Sequence, residues 1–148
     1  MNTYKIKEVM TKQPITVSGD ASIEQCAKLM AEKQVGSLII EDETIEGIIT
    51  ELDIVRKVVA KGLDTKKTLV KDIMTTDLVT LNPEDSILDA VKLMGKHNIR
   101  HIPIVSKRDL EGLVTAKDIM KVEPKLFEEI VECIRIKEEE HKPTIKKK

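Results

Sequence analysis

The chain has 148 residues, 25 of them basic and 26 acidic, for a formal net charge of −1. That balance lacks the cationic excess of a general nucleic-acid binder, and with Tyr4 and Phe127 as its aromatic residues the chain has almost nothing on which to stack unpaired bases. No apolar run approaches the roughly 20 residues that span a bilayer, and the opening MNTYKIKEVM has no apolar secretory core, so a cytoplasmic, non-membrane protein is expected.

In chain order, the pattern predicts a helical turn from Ile6 to Met10 and an extended piece from Ile15 to Val17. Ser22 with Gln25 three residues on is a capping box. The helix it opens carries Ile23, Cys26, Ala27 and Met30 at the spacing of one buried face. Strands follow at Leu38 to Ile40 and, after Glu46-Gly47, at Ile48-Ile49. Thr50 starts a helix that Gly62 stops. Asp64 to Leu69 is a linker.

The order then recurs. A turn at Val70 to Met74 and an extended piece at Val79 to Leu81 precede the Ser86/Asp89 capping box. Ile87, Ala90, Val91 and Met94 form the helical face. A strand runs from Ile102 to Val105, where Pro103 requires an edge or an irregularity because it cannot donate a ladder hydrogen bond. Glu111-Gly112, strand Leu113-Val114 and a helix from Thr115 complete the copy. Residues 6–43 align with 70–107, and 45–57 with 110–122, with about fifteen of some fifty positions identical. The chain divides into a first copy (1–64), a second (65–122) and a tail (123–148). Each copy is too small to be robust alone, so the two are expected to share a core as a pseudo-two-fold pair with clefts between them. In the tail, Leu126, Phe127, Ile130, Val131 and Ile134 form an apolar stripe that needs a cover, and a homodimer is the expectation. Residues 138–148 read as frayed.

Walker, GxGxxG, HExxH and GxSxG patterns are absent. Cys26 and Cys133 read as buried small hydrophobes rather than a disulfide or metal pair. His97 and His101 fall on either side of a helix end, so no metal site is expected, and no catalytic residue is assigned. The repeated Gly-x-x-Thr-x-x-Asp junction is the most informative motif: Gly47, Thr50 and Asp53, then Gly112, Thr115 and Asp118. Thr and Asp alone make a helix cap. With a ligand, the helix start and the Thr hydroxyl suit a phosphate, and the Asp carboxylate suits two vicinal hydroxyls. The glycine would let a ligand approach the backbone. Arg100 and His101 are a possible phosphate-facing pair, and they match the neutral Gly36 and Ser37 of the first copy.

These motifs resemble cystathionine-β-synthase (CBS) domains, and the pair resembles a Bateman module. The resemblance rests on Val9-Met10-Thr11, Asp72-Ile73-Met74-Thr75, the IRHIPIV segment and both GxxTxxD ends, and it covers residues 6 to 122. It implies an α/β (α+β) fold of two β-α-β-β-α units plus the tail helix, and a non-enzymatic regulatory sensor of AMP, ADP or ATP acting on another protein. Some members of the family take S-adenosylmethionine or NAD instead. The resemblance carries ribose binding to Asp53 and Asp118, a phosphate-side hydroxyl to Thr50 and Thr115, and phosphate contact to Arg100 and His101. Purine-bordering backbone falls to Thr16, Val17 and Ser18 and to Thr80, Leu81 and Asn82, with Pro103 alongside. On this reading the Asp118 cleft, with Lys117, Arg100 and His101 available and Glu51 set in the place of Lys117 in the other cleft, binds first. A ligand-free interaction module, with Thr/Asp pairs serving only as caps, and a nucleic-acid-associated regulator are the alternatives.

Overall fold

The computed structural model describes residues 3–126 together with Glu128, Val131, Glu132 and Ile136. The first copy contains α1 (Ile6–Val9), β1 (Thr16–Val17), α2 (Ile23–Lys33), β2 (Ser37–Glu41), β3 (Ile45–Thr50) and α3 (Glu51–Asp53), which runs on as a π-helix over Ile54–Val59. The second has a 3-10 turn at Val70–Asp72, then α4 (Ile87–His97), β4 (His101–Ser106), β5 (Asp109–Thr115) and α5 (Ala116–Val122). This is the expected α+β repeat.

Both capping boxes form. The Ser22 hydroxyl accepts from the Gln25 N–H at 3.1 Å while the Gln25 side chain accepts from the Ser22 N–H at 2.9 Å; Ser86 and Asp89 do the same at 3.3 and 3.0 Å. The helices end on Gln34 and Asn98, both left-handed at φ 55° and 53°, a conformation polar side chains of this kind tolerate. Gly62, at φ +68°, ends the first copy's last helix as its type predicts. Ile23, Cys26 and Met30 are buried on α2 as expected, but Ala27 is exposed and half-buried Leu29 packs on the core instead. The π stretch, with Ala60 and Leu63 donating to the carbonyls of Val55 and Val58 at 2.8 and 3.0 Å, has no signature in the apolar spacing.

In the first sheet β1 runs parallel to β2 and β2 antiparallel to β3, with Ile39 opposite both Thr16 and Ile48. The second sheet pairs β4 with β5. Its counterpart of β1 is reduced to one parallel bridge, Leu81 to Ile104. Pro103 lies within β4 beside this gap, and the register shifts just beyond it, between Ile104 and Val105.

The copies in sequence are not the packing units in space. Ile6, from the first copy, is fully buried with Ile87, Met94, Ile102 and Ile119 of the second. Val70, from the second, is fully buried with Ile23, Leu38, Ile49 and Val58 of the first. Backbone bonds fix both crossings. Ile6 and Lys7 donate to the carbonyls of Asp85 and Pro83 at 2.8 and 3.0 Å, and Val70 donates to Ala21 at 2.8 Å. Thr11 exchanges two bonds with Leu113, and Thr75 two with Ile48. Full burial of such an aliphatic side chain contributes about 1.5–3 kcal/mol, so each opening segment ties the other half shut.

That crossing explains the glycines of the repeated motif. A Cβ on Gly47 would lie 2.6 Å from Met74 Sδ and 2.9 Å from the Thr75 carbonyl; one on Gly112 would lie 2.6 Å from the Thr11 carbonyl and 2.8 Å from Met10 Sδ. The close approach expected of a ligand is made by the Met-Thr pair of the opposite copy.

Candidate functional site

The Thr/Asp pairs are helix caps in both copies. Thr50 Oγ1 accepts from the Asp53 N–H at 3.2 Å, and Asp53 Oδ2 accepts from the Thr50 N–H at 2.9 Å. Thr115 and Asp118 repeat this at 3.3 and 2.9 Å. The caps use one carboxylate oxygen and leave a second for other work. In the first copy that oxygen, Asp53 Oδ1, lies 3.2 Å from Lys57 Nζ, which also donates to the Ile73 carbonyl and Thr75 Oγ1 at 3.4 Å. The second copy has Val122 at the lysine position.

A cleft of about 440 Å³ opens beside the first cap, a volume within the range of small-molecule sites. The start of α3 supplies Thr50, Glu51, Leu52 and Asp53, and the π-helix adds Arg56. The second copy supplies Thr75, Asp77, Leu78 and Val79 before its helix, and Asn98, Ile99, Arg100, His101 and Pro103 after it. Ile48 and Gly36 complete the lining. The lining is aliphatic at Ile48, Leu52, Leu78, Val79 and Ile99, and its charged residues are Arg56, Arg100, Glu51, Asp53 and Asp77.

Of the residues anticipated from sequence, Gly36, Thr50, Asp53, Arg100, His101 and Pro103 line this cleft. Ser37 stands behind it, buried, with its hydroxyl 3.1 Å from His101 Nδ1. Thr16, Val17, Ser18, Thr80, Leu81, Asn82, Thr115, Lys117 and Asp118 are not in its lining. The backbone expected at Thr80 to Asn82 comes from Thr75 to Val79, a few residues earlier, because Leu81 is already bridged to β4. The basic pair lines the cleft beside Asp53 and also stays at the start of its own copy's last helix, where Ala116 donates to the Arg100 carbonyl at 3.1 Å and the Asp118 carboxylate acts on the His101 ring. Aligned at the repeat offset, Glu51 matches Ala116 and Leu52 matches Lys117, so the expected Glu51–Lys117 contrast is also corrected. Arg56 follows Asp53 by one helical turn, and that i+3 spacing is the signal by which it could be found; Asp77 and Leu78 carry no signal in the sequence.

Burial holds the His101 pKa below the ordinary histidine value; the Glu51 and Asp118 carboxylates oppose this, and the Arg100 and Lys117 charges add to it. The imidazole is therefore neutral at pH 7. Buried Cys26 has its thiol pKa raised by desolvation; Cys133 lies outside the described residues. Among the described residues no group of three or more His, Cys, Asp or Glu side chains is placed to hold a metal, and no helix is long and apolar enough to cross a membrane. Half-buried Leu126 of the predicted tail stripe packs on the second core and Val131 is exposed; Phe127, Ile130 and Ile134 lie outside the described residues. A different apolar face is plain in the structure: Leu52, Val55 and Val59 are 53%, 56% and 61% exposed on one helix.

Two interlocked β-α-β-β-α units with a cleft at their seam define a tandem-repeat architecture. The family model for the CBS domain matches residues 6–60 and again 70–125, and the chain belongs to the CBS domain family. It is 38% identical over 115 residues to the CBS domain-containing protein YhcV of Bacillus subtilis, covering 77% of this chain and 81% of that one. The crystal structure of the CBS domain pair of protein MJ0100, in complex with 5′-methylthioadenosine and S-adenosyl-L-methionine, matches with a TM-score of 0.75 at 31% identity, covering 82% of this chain and 96% of that one. A hexameric CBS-CP12 protein from bloom-forming cyanobacteria matches with a TM-score of 0.75 at 33% identity, covering 84% and 73%.

Proposed function

We propose that this tandem CBS protein is a non-enzymatic sensor of an adenosine-based ligand, with the Asp53 cleft as its site. The observation that carries this reading is the meeting of Asp53 and Thr50 from one copy with Arg100 and His101 from the other in one cavity. Asp53 takes the ribose hydroxyls, Arg100 and Arg56 the phosphate, and the aliphatic lining residues the purine. Because residues of both copies line the cleft, a ligand that fits the closed pair better than the open one shifts the population between them. That shift is the signal to a partner protein. With Lys57 pairing Asp53, the three carboxylates offset the neighbouring cations and leave no cationic excess for a long phosphate chain, so AMP should bind more tightly than ADP or ATP.

The same carboxylates favour a second reading, a sulfonium nucleoside, and the related MJ0100 pair was crystallised with S-adenosyl-L-methionine. Calorimetric titration with AMP, ADP, ATP and S-adenosylmethionine separates the two. A bound ligand at 100 times its dissociation constant adds about 2.7 kcal/mol to stability, so a rise in Tm is expected as well. Failure of all four at millimolar concentration rejects the sensor and leaves a ligand-free interaction module. The apolar face of Leu52, Val55 and Val59 is the surface we assign to a homodimer.

A further inference from the structure

We propose that Lys57 makes the Asp53 cleft selective for ribose over deoxyribose: its ammonium pins the second oxygen of the Asp53 carboxylate, so that both oxygens stand ready for a vicinal diol. This rests on the adenosine reading above and adds to it the positioning residue that sets sugar specificity, in one half of the molecule only.

Donors and acceptors match in number around this side chain. An ammonium carries three N–H donors, and Lys57 Nζ has three oxygens about it: Asp53 Oδ1 at 3.2 Å, and the Ile73 carbonyl and Thr75 Oγ1 at 3.4 Å each. The carboxylate belongs to the first copy and the other two acceptors to the opening segment of the second, so Lys57 spans the seam. Asp53 and Thr75 both line the cleft, and the Thr75 backbone is itself fixed by its two bonds to Ile48. The second copy has the same surroundings without the donor. Val9 and Thr11 stand where Ile73 and Thr75 do, but Val122 stands where Lys57 does. Among the described residues the Asp118 carboxylate has one hydrogen bond, from the Thr115 N–H, and no ion pair.

A carboxylate held by one oxygen can still turn about that contact. The Thr50 N–H holds Asp53 Oδ2 at 2.9 Å, and holding Oδ1 as well sets the plane of the group. The side chain of Asp53 is 18% exposed, which limits the water that could hold it in place of Lys57. Each oxygen keeps a lone pair for a hydroxyl after its present bond. Two hydroxyls on adjacent ribose carbons then meet one acceptor each, in a group that loses little freedom on binding. A deoxyribose brings one hydroxyl to a site set for two. The Asp118 carboxylate lacks the second hold, so the other half of the molecule should not make this distinction.

The test compares AMP with 2′-deoxy-AMP by calorimetry on the full chain, on Lys57→Met and on Lys57→Arg. The wild type should prefer AMP by at least about tenfold, since a site built to pair a hydroxyl rejects the analogue that lacks it. Lys57→Met keeps the aliphatic stem and loses the donors, and its two affinities should fall within about threefold of each other. Lys57→Arg, which keeps charged donors, should retain most of the preference. Loss of charge alone would weaken both nucleotides by the same factor, so their ratio reads the pinning. An ion pair this exposed adds little to stability, so the Tm of Lys57→Met should stay close to that of the wild type and report that the variant is folded. A Lys57→Met protein that keeps the tenfold ratio, or a Lys57→Arg protein that loses it as fully as Lys57→Met, overturns the inference alone. So does a wild type that binds AMP and 2′-deoxy-AMP equally. Absence of any AMP binding to the wild type overturns the nucleotide reading and this inference with it.

Discussion

The two caps of this molecule are built alike and surrounded differently. Asp53 and Asp118 each accept from their threonine N–H at 2.9 Å, yet Asp53 shares a cleft with Arg100 and His101 of the other copy, whereas the first-copy positions that match this pair are the neutral Gly36 and Ser37, and Asp118 meets the His101 ring from within its own copy. Lys57 pairs with Asp53, and Val122 stands at the matching place. A duplication keeps what each half needs to fold and frees the rest to diverge. The shared part is capping and crossing geometry; the divergent part is charge.

The comparison breaks most directly on ligand binding. Asp53→Asn keeps an acceptor for the Thr50 N–H but loses the charged acceptor for a diol. It should weaken AMP binding by tenfold or more, on the order of the 1.5–3 kcal/mol typical of a charged hydrogen bond, while Asp118→Asn should change it little. Equal losses in calorimetry would mean the halves are functionally equivalent. Arg100→Ala should weaken AMP but spare adenosine, which has no phosphate for the guanidinium to hold.

Next in size are the crossings, where the halves should behave alike. Gly112→Ala drives a Cβ against the Thr11 carbonyl and Gly47→Ala drives one against Met74 and the Thr75 carbonyl. Each should cost about 1–3 kcal/mol by denaturant unfolding, the usual penalty of overpacking. Gly112 should be the costlier, because its nearest obstacle is backbone. A neutral effect at either glycine would return that residue to the ligand.

His101 gives the comparison a pH axis. Its pKa in the folded state is lowered, mainly by burial, so the unfolded chain binds the proton more readily. The contribution of neutral His101 is fully present above the ordinary histidine value near 6.5 and is lost as pH falls from there through the lowered folded value. Stability should thus drop between about pH 7 and 5 in the wild type and drop less in His101→Gln. Phosphate binding beside the ring should raise that pKa and take up a fraction of a proton, read from titrations in buffers of different ionisation enthalpy. The smallest effect concerns assembly. Val55→Glu should shift a dimer toward monomer in light scattering, whereas Met120→Glu, at the matching place in the second half, should not.

Much of this was legible in the sequence because it is local. Ser22 with Gln25 and Ser86 with Asp89 announce their helices through chemistry contained in four residues. The duplication announces a paired architecture, and the Thr/Asp spacing marks both helix starts. What escaped was placement between the halves. Nothing in the residues around Arg100 says that its loop faces Asp53 and not Asp118; that depends on which sheet edge meets which helix. The role of Gly47 escaped for the same reason, since the Met74 side chain that fills its place is 27 positions away. Pro103 marks an irregularity in the sequence, and the structure places the register shift one residue beyond it, between Ile104 and Val105.

The traded opening segments bear on the origin and folding of the chain. A single ancestral copy could bury its Ile6 or Val70 only by lending it to a second identical copy and borrowing that copy's in return. Such an ancestor is a dimer that exchanges its opening helical turns, whose stability falls with dilution. Joining two such copies through the Asp64 to Leu69 linker makes the partner permanent at a high effective concentration. It also left neither half able to complete its interior before the other, so the protein should melt in one step, and a cut in the linker should leave two fragments that regain structure only when mixed.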